Sequence, residues 1–228
     1  MSRTNHFPSR WIVPALFAVS LLRAGWLPAQ EEKGADRWEK TIAKFEEGDR
    51  SEPPPRDAVL FIGSSSIRGW KLEKYFPDRK VINRGFGGSH IADSVQFTER
   101  IVWPYEPKTI VLYAGDNDVA SGKTPDRVLR DFREFVGKTH RKLPRARILF
   151  ISIKPSIKRW NLAGPMRAAN ALIRKEAARD KRVEYVDVFA PMLNDEGTPR
   201  KELFAKDGLH LNHEGYLLWT KTLLPLLD

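Results

Sequence analysis

Thr109-Ile110-Val111-Leu112-Tyr113-Ala114-Gly115-Asp116-Asn117-Asp118 is the stretch on which the fold turns. Its first half carries no charge and favours β structure, and at Gly115 it gives way abruptly to polar residues. A strand exposed on one side alternates apolar with polar side chains, whereas one that is apolar throughout is covered on both faces, as in a parallel sheet between two helical layers. Arg147 to Ile153 is nearly as unbroken in hydrophobicity, so these two runs are expected at the centre of the sheet. Val59 to Gly63, Val81 to Arg84 and Val183 to Val188 are further runs of this type.

Segments of helical period separate them. Val128, Leu129, Phe132, Phe135 and Val136 recur on one helical face, and Thr124-Pro125 supplies a cap followed by proline in the first turn. Other helices are expected at 36 to 47, 91 to 102, 165 to 179 and 214 to 224. The first aligns Trp38, Ile42 and Phe45, and Glu52-Pro53-Pro54-Pro55-Arg56 follows as a stiff connector into the first strand. Strands alternating with helices give an α/β fold with a parallel sheet. Ligands of such sheets collect beyond the carboxyl ends of the strands.

Three polar blocks fall at that edge: Gly63-Ser64-Ser65-Ser66, Asn83-Arg84-Gly85-Phe86-Gly87-Gly88 and Gly115-Asp116-Asn117-Asp118. A fourth, Asp207-Gly208-Leu209-His210, follows a long loop from Ala190 to Lys206 that must return to the same edge. A serine hydroxyl attacks a carbonyl only with a base beside it, and that base needs a partner to fix its tautomer and offset its developing charge. His210 and Asp207, three residues apart across a glycine turn, can meet both needs. A tetrahedral intermediate also needs N–H donors around its oxyanion. Gly88 can offer a backbone N–H, Asn117 a side-chain amide, and the attacking serine its own N–H. Taken singly, the glycine run also fits a tight strand-to-helix turn, Asn117 an Asx-turn, and Asp207-Gly208 an ordinary turn.

In this order the four blocks resemble those of the SGNH hydrolases, the GDSL-type lipases and esterases, from about Val59 to the end. Asp207-Gly208-Leu209-His210-Leu211-Asn212 followed by Gly215-Tyr216 is the most specific block, and Gly115-Asp116-Asn117-Asp118 keeps the family's Gly-x-Asn-Asp form. The resemblance puts the family's serine on Ser65, its glycine on Gly88, its asparagine on Asn117 and its histidine on His210, with Asp207 as the triad acid. It also implies a flavodoxin-like α/β/α sandwich with strand order 2-1-3-4-5, and ester hydrolysis without metal or other cofactor. The first block departs from the family: Ser64 stands where an aspartate is usual and Ser66 where a leucine is usual. Matching Gly63 to the glycine that ends the first strand selects Ser65 among the three serines. Ser64 and Asp118 are expected to support the site from behind.

Other chemistries fit less well. A metal-dependent phosphoesterase would use Asp116, Asp118, Asp207 and His210 as ligands, but carboxylates on either side of Asn117 alternate in direction. A non-catalytic carbohydrate-binding module would need Trp70, Trp103, Trp160 and Trp219 as platforms, although tryptophans at such spacing generally belong to the core. The α/β-hydrolase elbow needs Gly-x-Ser-x-Gly, and position 67 is Ile. Gly85-Phe86-Gly87-Gly88 lacks the spacing of a dinucleotide fingerprint. His90 is placed near the pocket rim, His140 at a helix end where positive charge suits the dipole, and His213 just past the last block.

At the amino end, Arg3 and Arg10 precede an apolar run from Trp11 to Leu22, and Pro28-Ala29 offers a cleavage point. Residues 1 to 29 are therefore expected to be a secretory signal, with an uncleaved anchor as the alternative. The run is shorter than the roughly 20 residues of a spanning helix, and stable membrane insertion is not expected after cleavage. Residues 30 to 56 form the helix and lead-in, and 57 to 228 the hydrolase domain. The chain has no cysteine, hence neither a disulfide framework nor a lipoprotein anchor. Its net charge of +10 is spread over helical stretches rich in both signs, unlike a nucleic-acid groove with clustered cations and stacking aromatics. The expected partner is a small-molecule or glycan ester, with short acyl groups favoured because no long apolar insert resembles a lid or acyl tunnel. Lysophospholipids are the alternative, and oligomeric state is not legible.

Overall fold

A computed structural model describes residues 1–2 and 32–227; the expected signal segment otherwise lies outside the described residues. Five strands, β1 (Val59–Gly63), β2 (Val81–Gly85), β3 (Thr109–Tyr113), β4 (Arg147–Ile151) and β5 (Val183–Val186), form one sheet of order β2-β1-β3-β4-β5. All neighbours are parallel, with Leu60 opposite Ile82 and Ile110, and Ile148 opposite Ile110 and Val183. This is the 2-1-3-4-5 order that the family resemblance implies.

Successive side chains of a strand point to opposite faces, and both faces are apolar here. Leu60, Ile62, Ile110, Leu112, Ile148 and Phe150 enter one core. Phe61, Val111, Tyr113, Leu149 and Ile151 enter the other. Every residue of β3 is buried, and β4 is buried from Ile148 on, which accounts for the unbroken apolar character of those two runs. The edge strands β2 and β5 are only half-buried.

The first core is covered by α1 (Glu32–Ser51), α4 (Ile91–Ile101), α6 (Pro125–Lys142) and α7 (Ala163–Ala177). The second lies under the short helices α2 (Ser65–Arg68) and α3 (Leu72–Tyr75) and the C-terminal α8 (His213–Leu223), where Trp70 and Trp219 pack edge to face. Helix α1 carries Trp38 and Ile42 into the first core as anticipated, and the Arg100 side chain ties α4 to Glu39 and Glu46 of α1. It outruns the expected 36 to 47 at both ends. Gly48 is tolerated inside it, Ser51 Oγ donates to the Gly48 carbonyl, and the following prolines stop it.

Strand β4 ends two residues before the expected Ile153 because side chains intercept its backbone. Asn170 of α7 accepts from Ile153 N–H and donates to the Ile153 carbonyl, taking the place of a sheet neighbour. Ser152 Oγ likewise accepts from Val188 and Phe189 N–H, which draws the chain after β5 away from the sheet. The short helices α2, α3 and α5 (Asp116–Ala120) were not anticipated, since four or five residues carry too little period to register.

Candidate active site

Strand β1 ends at Gly63, whose φ of +136° and whose contact with β3 exclude any side chain: a Cβ there would lie 1.8 Å from the Tyr113 carbonyl oxygen. The chain turns at once into α2, with Ser65 as its first residue. That placement leaves the Ser65 N–H, like the others of a first helical turn, without an intrahelical acceptor. Of the three adjacent serines, Ser64 and Ser66 are buried, and only Ser65 Oγ reaches His210, at 3.1 Å from Nε2. Ser64 Oγ is fully enclosed and has no hydrogen-bond partner among the described residues.

His210 returns to this edge because the loop before α8 is closed on itself. Phe204 pairs with Leu211 in an antiparallel bridge, Ala205 N–H donates to the His210 carbonyl, and Asn212 Nδ2 donates to the carbonyls of Glu202 and Phe204. Inside that loop the Asp207 carboxylate accepts from the N–H groups of Leu209 and His210 at 2.9 and 3.0 Å and stands 2.5 Å from His210 Nδ1. The hydrogen bond to His210, reinforced by the two backbone donors, holds the Asp207 carboxyl well below the usual carboxylate range. With Nδ1 donating to this anion, Nε2 is left to accept the Ser65 hydroxyl proton.

Gly88 follows β2 with φ at +83°, and its N–H has no acceptor among the described residues. Asn117 sits in the first turn of α5. One hydrogen of its amide goes to the Ser89 carbonyl at 3.1 Å, and its Oδ1 accepts from Arg159 Nη2 at 3.1 Å. Both ends of the amide are thereby oriented, leaving one N–H to point elsewhere. Asp118, fully buried, accepts from Ile91 N–H at the start of α4 and from Lys123 Nζ at 2.8 Å. It thus ties the Asn117 turn to the segment just after Gly88. Burial pushes its carboxyl up against the opposing pull of Lys123.

Lys154 and Arg159, which the sequence reading did not assign to this site, and Asp116, which it named only as a ligand in the metal-dependent alternative, connect its parts. Lys154, three residues past the end of β4, is 1% exposed and donates from Nζ to the Leu209 carbonyl at 2.8 Å. Asp116 Oδ2 lies 4.0 Å from that Nζ and accepts from Arg159 Nη1 at 2.8 Å. A chain of polar contacts therefore runs from the His210 loop through Lys154, Asp116 and Arg159 to Asn117. A lysine immediately after the apolar run Arg147 to Ile153, at the ligand-binding edge, is the sequence signal that could have marked it. Burial pushes the Lys154 ammonium down, with Asp116 opposing.

The metal-ligand alternative finds its donors already engaged: Asp116 with Arg159, Asp118 with Lys123, Asp207 with His210. Among the described residues no group of three His, Cys, Asp or Glu side chains is placed to hold a metal ion. The aromatic-platform alternative loses Trp70 and Trp219, which are buried in the second core. His90 caps α4 through its N–H to Asp93, and His213 Nδ1 meets the Tyr75 hydroxyl at 2.8 Å. His140 lies in the last turn of α6, at the helix end where the sequence places it. Its ring packs inward, Nε2 stands 3.0 Å from the Ala146 carbonyl, and burial pushes its pKa down.

Residues 62–218 match the model of the GDSL-like lipase/acylhydrolase family. The chain belongs to that family. As a GDSL-like acylhydrolase it is a hydrolase of ester bonds. No curated protein matches it. Solved structures share its fold. A Streptococcus pneumonia protein whose name refers to platelet activating factor superposes with TM-score 0.76 at 22% identity, over 86% of this chain and 96% of that one. A GDSL-like lipase from Bacteroides thetaiotaomicron follows at 0.71 and 20% identity, over 82% and 96%. An acetyl xylan esterase gives 0.65 and 21% identity, over 75% of this chain and all of its own. The GDSL-like family model begins in β1, just before Gly63, and ends within α8, so it spans all four blocks.

Proposed function

We propose that this protein is an exported serine esterase that hydrolyses short-chain, chiefly acetyl, O-acyl esters through Ser65, His210 and Asp207. The observation that carries this reading is one line of contacts: Ser65 Oγ 3.1 Å from His210 Nε2, and His210 Nδ1 2.5 Å from the Asp207 carboxylate. His210 takes the hydroxyl proton as Ser65 Oγ attacks the acyl carbon. The N–H groups of Ser65, Gly88 and Asn117 stabilise the tetrahedral oxyanion. Collapse of the intermediate expels the alcohol, which receives the proton from His210 and leaves an acyl ester on Ser65. Water then attacks that ester, giving its proton to His210. The second collapse releases the carboxylic acid and returns the proton to Ser65.

Asp207 stays ionised throughout, because its three hydrogen bonds all favour the anion. It fixes the imidazole tautomer and offsets the charge of the imidazolium. Asp118 ties the Asn117 turn to the segment just after Gly88, and Arg159 orients the Asn117 amide. Among the described residues the Ser64 hydroxyl has no hydrogen-bond partner, so it does not supply a side-chain contact in the aspartate's place. Export is supported by the arginine-flanked apolar run and the Pro28-Ala29 cleavage point. An acetyl xylan esterase among the proteins of like fold is consistent with a carbohydrate acetyl ester as substrate.

The decisive experiment uses the full chain expressed with its amino-terminal segment. The mature protein is recovered outside the cytoplasm, and its first residue is read by mass spectrometry. It is then assayed on p-nitrophenyl esters from acetate to palmitate, beside acetylated xylan and lysophosphatidylcholine. Activity that peaks at acetate, resists chelation and ends when a phosphonate modifies Ser65 supports the reading. A maximum on long chains or on the lysophospholipid replaces the acetyl ester with a lipid ester. Activity retained in Ser65→Ala refutes the mechanism.

A further inference from the structure

Two guanidinium groups lie against consecutive glycines of the loop that carries the Gly88 N–H. Arg68 closes α2, one turn beyond Ser65. A Cβ placed on Gly87 would stand 2.6 Å from Arg68 Cζ and 2.8 and 2.9 Å from its two Nη atoms, so the guanidinium can approach this backbone only because position 87 has no side chain. On Gly88 the equivalent point is 3.1 Å from Nη2 of Arg37, whose own guanidinium stacks 4.4 Å above the Trp38 ring. Both arginines are exposed. Neither meets a carboxylate among the described residues, whereas Arg84, Arg100, Arg159 and Arg182 each do. Positive charge is thus left uncompensated at this loop, where the esterase reading places the acyl oxygen.

We propose that Arg68 and Arg37 form an anion-binding subsite, and that the preferred substrate is an ester carrying a carboxylate or phosphate close to its acyl group. This rests on the esterase reading above and narrows its substrate class. A planar guanidinium matches the two oxygens of a carboxylate or phosphate in a bidentate pair, which orients the anion as well as attracting it. Stacking on Trp38 holds Arg37 flat and limits the freedom lost on binding. The anion can belong to a uronic acid next to an acetylated sugar or to the headgroup of a lysophospholipid. Both present the same chemistry to the two arginines.

The test measures ratios of kcat/KM on the mature enzyme. In the glycan arm, an acetylated xylo-oligosaccharide bearing a glucuronic acid is compared with the same oligosaccharide lacking it. In the lipid arm, lysophosphatidic acid is compared with a neutral monoacylglycerol. The anionic substrate is preferred in at least one arm, which identifies the source of the anion. Arg68→Gln lowers that preference by about fivefold, the size of one exposed ion pair, and Arg37→Gln lowers it further. Raising the salt concentration erodes the preference of the unmodified enzyme, a readout that needs no variant to fold. A ratio near one in both arms, or a preference that survives the double Arg→Gln variant and high salt, overturns the subsite. If p-nitrophenyl acetate is still cleaved in a Ser65-dependent way, the esterase reading stands without it; if that activity is also missing, both fall.

Discussion

Replacing Lys154 by methionine tests whether the buried polar chain between the His210 loop and Asn117 positions the reacting groups or merely fills space. The ammonium is buried and held by the Leu209 carbonyl at 2.8 Å, with Asp116 at 4.0 Å. Methionine keeps most of the volume and suits a site beside Phe204, whose ring centroid lies 6.0 Å from Nζ. Loss of the Leu209 hydrogen bond costs about 1–3 kcal/mol. Removing a buried charge offsets much of that cost, as the downward push on the Lys154 pKa implies. Asp116 still has Arg159 at 2.8 Å. The net change in stability is then within about 2 kcal/mol, a shift in Tm of no more than roughly 8 °C for a domain of this size. Catalysis is far more sensitive. Leu209 lies between Asp207 and His210, and a displacement of about 1 Å in such a loop costs on the order of 100-fold in kcat. Steady-state kinetics on p-nitrophenyl acetate and a thermal melt, run in one buffer, separate the two effects. A kcat within twofold of the parent refutes the positioning role, and a collapse of the melting transition refutes the stability arithmetic.

Other outcomes follow from the same contacts. Asp207→Asn leaves the loop hydrogen bonds partly intact but removes the anion that fixes the imidazole tautomer, and kcat falls by about 10⁴-fold with unchanged far-UV dichroism. Ser64→Ala removes a buried hydroxyl that has no partner, so the melting temperature holds or rises and activity on p-nitrophenyl acetate stays within a few fold; a loss of more than 2 kcal/mol in denaturant titration would contradict the enclosed, unpaired hydroxyl. Gly85→Ala sets a Cβ 2.2 Å from the Arg68 backbone nitrogen, against backbone that cannot yield, and soluble protein is lost on expression. His140 supplies the pH test. Its folded pKa is depressed by burial, so the unfolded chain binds the proton more readily and stability rises with pH across this window. That contribution is complete above the ordinary value near 6.5 and is lost as pH falls below it. Thermal melts between pH 7.5 and 5 show the decline, and His140→Gln makes it shallower; an unchanged slope refutes the assignment.

Much of this molecule was legible from residue order. The β1, β3 and β4 runs are apolar at nearly every position because both their faces are covered, and no other burial pattern explains Thr109 to Ala114. Local geometry was legible for the same reason: the turn at Gly63 and the contact between Asp207 and His210 form over a few residues, where the chain has little freedom. Element ends were less visible. Asn170 and Ser152 cut β4 and β5 short through side chains that come from far along the chain or serve a distant segment. At the end of α6, His140 is half-buried with its ring against the Ala146 carbonyl, and helical period alone does not show what packs over the last turn.

What the sequence by itself determined is the parallel sheet, its strand order through the family resemblance, and the residue types gathered at its carboxyl edge. Tertiary structure alone decided that the Ser64 hydroxyl is sealed, with no hydrogen-bond partner among the described residues. It also decided that Lys154, Asp116 and Arg159 join two loops distant in sequence. The physical reason is that strand and helix patterns are set by neighbours within a few residues. A hydrogen bond between Lys154 and Leu209, by contrast, depends on where the whole intervening chain has returned, and spacing along the sequence carries no record of that.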